Sequence, residues 1–291
     1  MIRLLSSELL RARSRRLVKV LLIVGVLGTL VGVTIGAFHS HKITATSAQE
    51  AMQRCLSDPT IGFGGMTKQR GCRESLDNYL PNAFDVNHIG DLLRGTSINL
   101  IVIGWLVGAS LAGAEWAAGT MTTLLTWEPR RIRVLLAKLA AAIITVLVLT
   151  LALQLFLAGA LWVLAATRGA NIADPGLWSG IFGSMFRVSA LSAIAGVFGM
   201  AIAMYTRSVT AAMASGFIYL AVIEGLIRGY RPGLAHYLIG DNAAAWVNGR
   251  PFRSGASGIP VTPVHGAVVL LIYAAILVGA AALSFRGRDV T

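Results

Sequence analysis

Residues 115–138 read EWAAGTMTTLLTWEPRRIRVLLAK, the densest polar interruption among several long apolar runs. The stretch begins where one apolar run (100–114) ends and finishes inside the next (134–164). At 100° per residue, Trp116, Ala117, Thr120, Met121 and Leu124 share one helical arc, while Ala118, Gly119, Thr122, Thr123 and Thr126 share the other. Pro129 ends that helix, because it lacks an N–H and restricts Glu128. Arg130, Arg131, Arg133 and Lys138 then mark the start of the next span as cytoplasmic. The spacing therefore predicts a short amphipathic helix, 116–126, lying at the cytoplasmic surface between two membrane spans. Such a helix is a part that another protein can push on.

The rest of the chain fits that frame. It has 291 residues, 55% of them hydrophobic and 13% charged, against about 25% charged in an average soluble domain. The net charge is +12. The basic residues flank apolar runs and do not line one face, which argues against nucleic acid and for membrane lipid. The amino-terminal segment, 1–16, places Ile2, Leu5, Leu9 and Ala12 on one face among five arginines, as an interfacial helix would. Residues 17–38 form a run of about 33 Å as a helix, enough to cross a bilayer core and longer than the apolar part of a cleaved leader. Gly25, Gly28, Gly32 and Gly36 fall near one another along it and would let a neighbouring helix come close. Further spans are expected at 98–114, 134–166, 181–205, 209–227 and 267–285. The fold class is thus an all-α integral membrane protein with six transmembrane helices in a single domain, 1–291.

Two sizeable segments, 39–96 and 228–265, fall on the other side of the membrane. In the first, Cys55 and Cys72 are the only cysteines and face the oxidising side, where a disulfide is the natural reading. The side assigned to the cytoplasm carries thirteen basic and four acidic residues, and the opposite side twelve and nine. That difference puts both termini inside. Within the spans, Glu224 could pair with Arg187 across helices or with Arg228 at i+4, near the outer leaflet. No phosphate-binding loop, metal-ligand set or catalytic triad motif occurs in the sequence, so no catalytic or metal residue is assigned.

Glu115, Gly119-Thr120, Leu124-Leu125-Thr126, Pro129, Arg130-Arg131 and Ala137-Lys138 together resemble the signature of type-2 ABC transporter permeases, the membrane subunits of bacterial exporter-class ABC systems. The basic amino-terminal helix and the Arg286-Gly-Arg288-Asp289 tail are similar to that family's ends. One departure is visible: Trp127 and Glu128 separate Thr126 from Pro129 where one residue is expected. The resemblance implies that 116–126 is a coupling helix seated in a groove of an ABC ATPase subunit. Glu115, Trp116, Gly119, Thr120, Leu124, Leu125 and Arg131 would transmit the movement, with Glu115 held by Arg130 or Arg131. It further implies two ATPase copies that carry the ATP and Mg, and a second permease copy or a sister permease across the pathway. The chain itself would bind no cofactor and would sit in the cytoplasmic membrane. Few intramembrane charges favour an amphipathic or apolar cargo. The contrasting reading is an integral membrane enzyme acting on lipid or cell-wall precursors, built on Asp85, His88, Asp91, His236, Asp241 and His265.

Overall fold

The computed structural model describes residues 2–40, 45–58, 67–74, 84–170, 176–253 and 259–287. Among them the chain is almost wholly helical. The helices are α1 (Ile2–Ser14), α2 (Arg16–His39), α3 (Ala45–Ser57), α4 (Lys68–Glu74), α5 (Ile89–Gly95), α6 (Ser97–Ala117), α7 (Thr120–Trp127), α8 (Arg131–Arg168), α9 (Leu177–Thr206), α10 (Val209–Ile218), α11 (Glu224–Tyr230), α12 (Ile239–Asn248) and α13 (Pro263–Gly287). Two-residue strands, β1 (Phe84–Asp85) and β2 (Gly169–Ala170), pair in parallel. Six helices are long and apolar enough to cross a membrane: α2, α6, α8, α9, the continuous α10–α11 and α13. The number and order of spans expected from the apolar runs are those observed, in the architecture of a multi-pass membrane protein.

Alternate spans run in opposite directions, which gives the bundle two ends. At one end lie α1, α7 and the turn between α9 and α10. At the other lie α5, α12 and the strand pair. Cys55 and Cys72 are joined in a disulfide with Cα atoms 5.8 Å apart, tying α3 to α4. The glycine-rich segment 59–66 and the tail 288–291 lie outside the described residues.

The centre of the bundle is the crossing of α6 with α9. A Cβ at Gly104 or Gly108 would collide with the carbonyl of Ser192 or Gly196, and one at Gly199 with that of Trp105. Small residues let the two backbones approach, as in membrane helix pairs generally. Val107, Ala109, Val188, Met200, Ala203 and Met204 fill the space around that crossing. Helix α2 corrects the expectation for its own glycines. Gly25 meets Leu153 of α8, but Gly28 and Gly32 have nothing within 4 Å of where a Cβ would be. None of the apolar window of α2 is buried, against 72% of that of α9. Helix α2 therefore rides on the outside of the bundle, and its exposed Ile23, Val24, Leu27 and Val31 suit a hydrocarbon surrounding.

The fifth span is not uniformly α-helical. Between α10 and α11, Tyr219–Ile223 forms a π turn, in which the N–H of Glu224 reaches the carbonyl of Tyr219 five residues back. Such turns gather at functional places in helices. The segment 228–265, expected from sequence as a sizeable outer stretch, contains among its described residues a 3-10 turn (Pro232–Tyr237), the helix α12 and an antiparallel bridge between Phe252 and Val261.

Candidate functional site

The quoted stretch folds differently from the single helix expected. Trp116 is in the last turn of α6, and Ala118 caps that helix. Gly119 follows with φ of 66°, the left-handed region that glycine enters without the Cβ penalty. The chain then restarts as α7 at Thr120 and ends at Trp127, with Glu128 extended before Pro129. The expected helix 116–126 is thus broken at the glycine, and the short helix proper is Thr120–Trp127. Helix α8 starts at Arg131, so Arg131 and Arg133 belong to its first turn.

Helix α7 has two faces. Met121 is fully buried, and Leu124 and Leu125 pack against the bundle. Thr120, Thr122, Thr123 and Thr126 are exposed, and Trp127 projects with 85% of its surface free. Thr122 and Thr126 turn their hydroxyls back to the carbonyls of Gly119 and Thr123, at 2.6 Å each. The outward face is therefore short, polar and tipped by one aromatic ring.

Behind α7 lies a buried ion network. Glu115 is 6% exposed; its Oε2 accepts from Lys138 Nζ at 2.5 Å and its Oε1 from Arg15 at 3.3 Å. Lys138, 2% exposed, also donates to Glu8 Oε2 at 2.9 Å. Arg15 donates to the carbonyls of Ser110 and Leu111, at 2.5 Å and 3.2 Å, while Arg11 reaches Glu8 at 3.4 Å. Glu8, Glu115, Lys138 and Arg15 thereby fasten α6, α8 and the segment from α1 into α2, with the exposed Arg11 beside Glu8. The expected pairing of Glu115 with Arg130 or Arg131 is not what forms. Arg131 instead donates to the carbonyls of Phe285 and Arg286 at the end of α13, 3.0 Å and 3.4 Å away, where a cation suits the helix dipole. The reason is reach: Pro129 sends the chain into α8, which carries Lys138 back past Glu115 and points Arg131 at α13.

Trp116 extends the same assembly. Its ring meets Phe285 of α13 edge-on at 6.2 Å, and the Arg207 guanidinium lies 4.6 Å over its face. Ends of α6, α9 and α13 are joined through one indole, by contacts worth about 0.5–2 kcal/mol each. Of the residues expected to couple, the structure thus brings Glu115, Trp116 and Arg131 into the base of the bundle. It places Gly119, Thr120, Leu124 and Leu125 on or beside α7.

At the opposite end, α6, α9, α10–α11, α12 and α13 enclose a cavity of about 1190 Å³. Its wall is mostly apolar, with Ile101, Trp105, Leu191, Phe198, Tyr219 and Leu277 among its residues. Glu224 and Asp241, each 2% exposed, stand on this wall. Arg228 serves both, at 3.0 Å and 2.5 Å, and the N–H of Gly240, in the first turn of α12, donates to Glu224 at 2.8 Å. Of the two partners expected for Glu224, the i+4 residue Arg228 is the one used. Arg187 points elsewhere: its guanidinium lies against Gly249, and its carbonyl accepts from Trp246 Nε1 at 2.8 Å.

Of the residues of the enzyme reading, Asp91 and Asp241 both line the cavity, paired with Arg94 and Arg228, and His236 lies tilted against Tyr237. The side chain of Asp85 is outside the described residues. Among the described residues, no three His, Cys, Asp or Glu gather where they could hold a metal ion.

Sequence reasoning missed Glu8, Arg15 and the pairing role of Lys138. Glu8 carried a signal: it lies at i+3 from Leu5 and i−4 from Ala12, on the apolar face of α1, where an acid needs a partner. Trp127 was read as a spacing departure, and its exposure shows it to be the tip of α7.

No family model matches the chain, and no curated protein is significantly similar to it.

Proposed function

We propose that the chain is the membrane-spanning subunit of an ATP-driven exporter of the ABC class, moving an amphipathic or apolar substrate across a bacterial cytoplasmic membrane. One observation carries the reading: a short helix between the second and third spans, polar and free outside, keyed inside to the bundle through Met121 and the Glu115–Lys138 pair. A force on α7 has a direct mechanical route into both flanking spans. Gly119 gives the route one bend, and the buried ions leave it little slack.

In this reading a separate ATPase supplies hydrolysis, ATP and Mg, and seats α7 in a groove around Trp127. Two such ATPases act on a pair of membrane subunits, this chain with a second copy or with a sister permease. ATP-driven approach of the ATPases then tilts α6 and α8 together and shifts the bundle between two states. Both termini and α7 lie in the cytoplasm, in keeping with the thirteen basic residues counted on that side.

Copurification with an ABC ATPase, followed by hydrolysis in lipid nanodiscs, tests the proposal. The complex should form with the wild-type chain and be lost with Trp127→Arg or Thr126→Arg, both on the free face of α7. If the wild-type chain recruits no ATPase, or those substitutions leave the complex and its turnover intact, the proposal fails.

A further inference from the structure

Three arginines converge on the turn that closes α12, at the mouth of the cavity, where Asp91 is the one carboxylate that meets them among the described residues. Arg94 donates to the carbonyl of Asn248 at 3.1 Å, the Arg187 guanidinium rests on Gly249, and Arg250 is the next residue. Gly249 has φ of 65°, so the turn suits glycine twice: for its backbone and for the room it leaves Arg187. Arg94 and Arg250 line the cavity itself.

Asp91 pairs with Arg94 at the rim, and Glu224 and Asp241 share Arg228 on the wall, which leaves the excess of positive charge at the rim and one negative charge away from it. Among the described residues no carboxylate lies in ion-pair range of Arg187 or Arg250. Partial burial, then the positive charges of Arg250 and Arg187, push the Arg94 guanidinium below its ordinary value. Like charges gathered at the rim of a low-dielectric cleft raise the local concentration of anions. Below the rim the wall is aliphatic and aromatic, and the volume exceeds that of a usual small-ligand pocket, which runs to about 1,000 Å³.

We infer that this cavity binds a long-chain amphipathic anion, its phosphate or similar head held by Arg94 and Arg250 and its hydrocarbon lying between α6, α9 and α13. Arg187 adds positive potential from behind Gly249. Guanidinium groups suit a phosphate head because their donors match its oxygens in pairs. As the class of molecule exported, this anion rests on the transport reading; as a bound ligand it does not.

The test is calorimetric titration of the full chain in a neutral maltoside detergent, with no ATPase present. Dodecyl phosphate, used below its micelle concentration, should bind one to one. Inorganic phosphate should bind weaker by on the order of 100-fold or more, because it lacks the chain whose buried CH2 groups add to affinity. Dodecyltrimethylammonium should not compete. Arg250→Gln, at an exposed position that tolerates replacement, should weaken dodecyl phosphate about tenfold through loss of a charged hydrogen bond. Arg250→Lys should restore most of that loss, and Arg187→Gln should give a smaller one. Equal binding of inorganic phosphate, equal binding of the cation, or indifference to Arg250→Gln would each overturn the inference. Because no ATPase enters the titration, such a failure leaves the permease proposal standing, and a failure to recruit ATPase leaves this site standing.

Discussion

The two ends of the bundle treat buried charge in opposite ways. At the α7 end, two carboxylates and two bases are balanced and come from parts of the chain up to 130 residues apart in sequence. At the α12 end, two carboxylates share one arginine that is 40% exposed, and all three groups lie within 17 positions of sequence, beside an open cavity. The first arrangement is a clamp: it joins elements that local structure cannot join, and any motion must carry it whole. The second is a local brace on a wall that must leave room. In the exporter we propose, force would enter at the first end and a bound molecule would sit at the second, a division that this asymmetry fits.

Breaking the clamp should have the largest effect. Lys138→Met leaves Glu8 and Glu115 buried without their shared base, and should cost about 3–5 kcal/mol of stability, read as denaturant unfolding in detergent. Replacement of the exposed tip comes next and separates function from folding. Trp127→Ala should weaken ATPase binding by about 2 kcal/mol or more, as an interfacial tryptophan does, while unfolding shifts by less than about 0.5 kcal/mol. The brace should prove weaker than the clamp. Arg228→Gln should cost about 1–2 kcal/mol, since water already screens that guanidinium. A cost equal to that of Lys138→Met would erase the distinction between the two ends. The smallest effect is conformational: Gly119→Ala forces a Cβ into the left-handed region and should cost about 1 kcal/mol. Its signature should be a lower ATPase stimulation out of proportion to that loss, measured as turnover per bound ATPase.

Much of this asymmetry was hidden from the sequence, and for a definite reason. Apolar runs long enough to cross a bilayer are a one-dimensional signal, so the six spans were legible to within a few residues. The break between α6 and α7 was also written locally, in Gly119, although the amphipathic arcs drew attention past it. The disulfide needed only two cysteines and a side. What charge meets what charge is a tertiary matter. Arg130 and Arg131 are the first bases after Glu115 in sequence, yet Glu115 bonds Lys138, two turns further along α8, and Arg15, a hundred residues back. The same holds for small residues. Those of α2 form a visible row and meet little, whereas Gly104, Gly108, Gly196 and Gly199 make the central crossing because two faces happen to oppose. Helix α12 lies in a segment bounded by Pro232 and Pro251, and two of its four buried residues, Asp241 and Asn242, are of types that pattern reading assigns to loops.

The π turn in the fifth span also sets the phase of the brace. A hydrogen bond that closes one residue late accommodates one residue more than the α-helical pitch requires. Deleting one residue of Tyr219–Ile223 would therefore return the helix to regular pitch with Glu224 and Arg228 still on the cavity wall. The same deletion in α10, where no late bond absorbs it, would turn both residues off the wall by about 100°. The fifth span thus forgives a lost residue at one place and not at its neighbours.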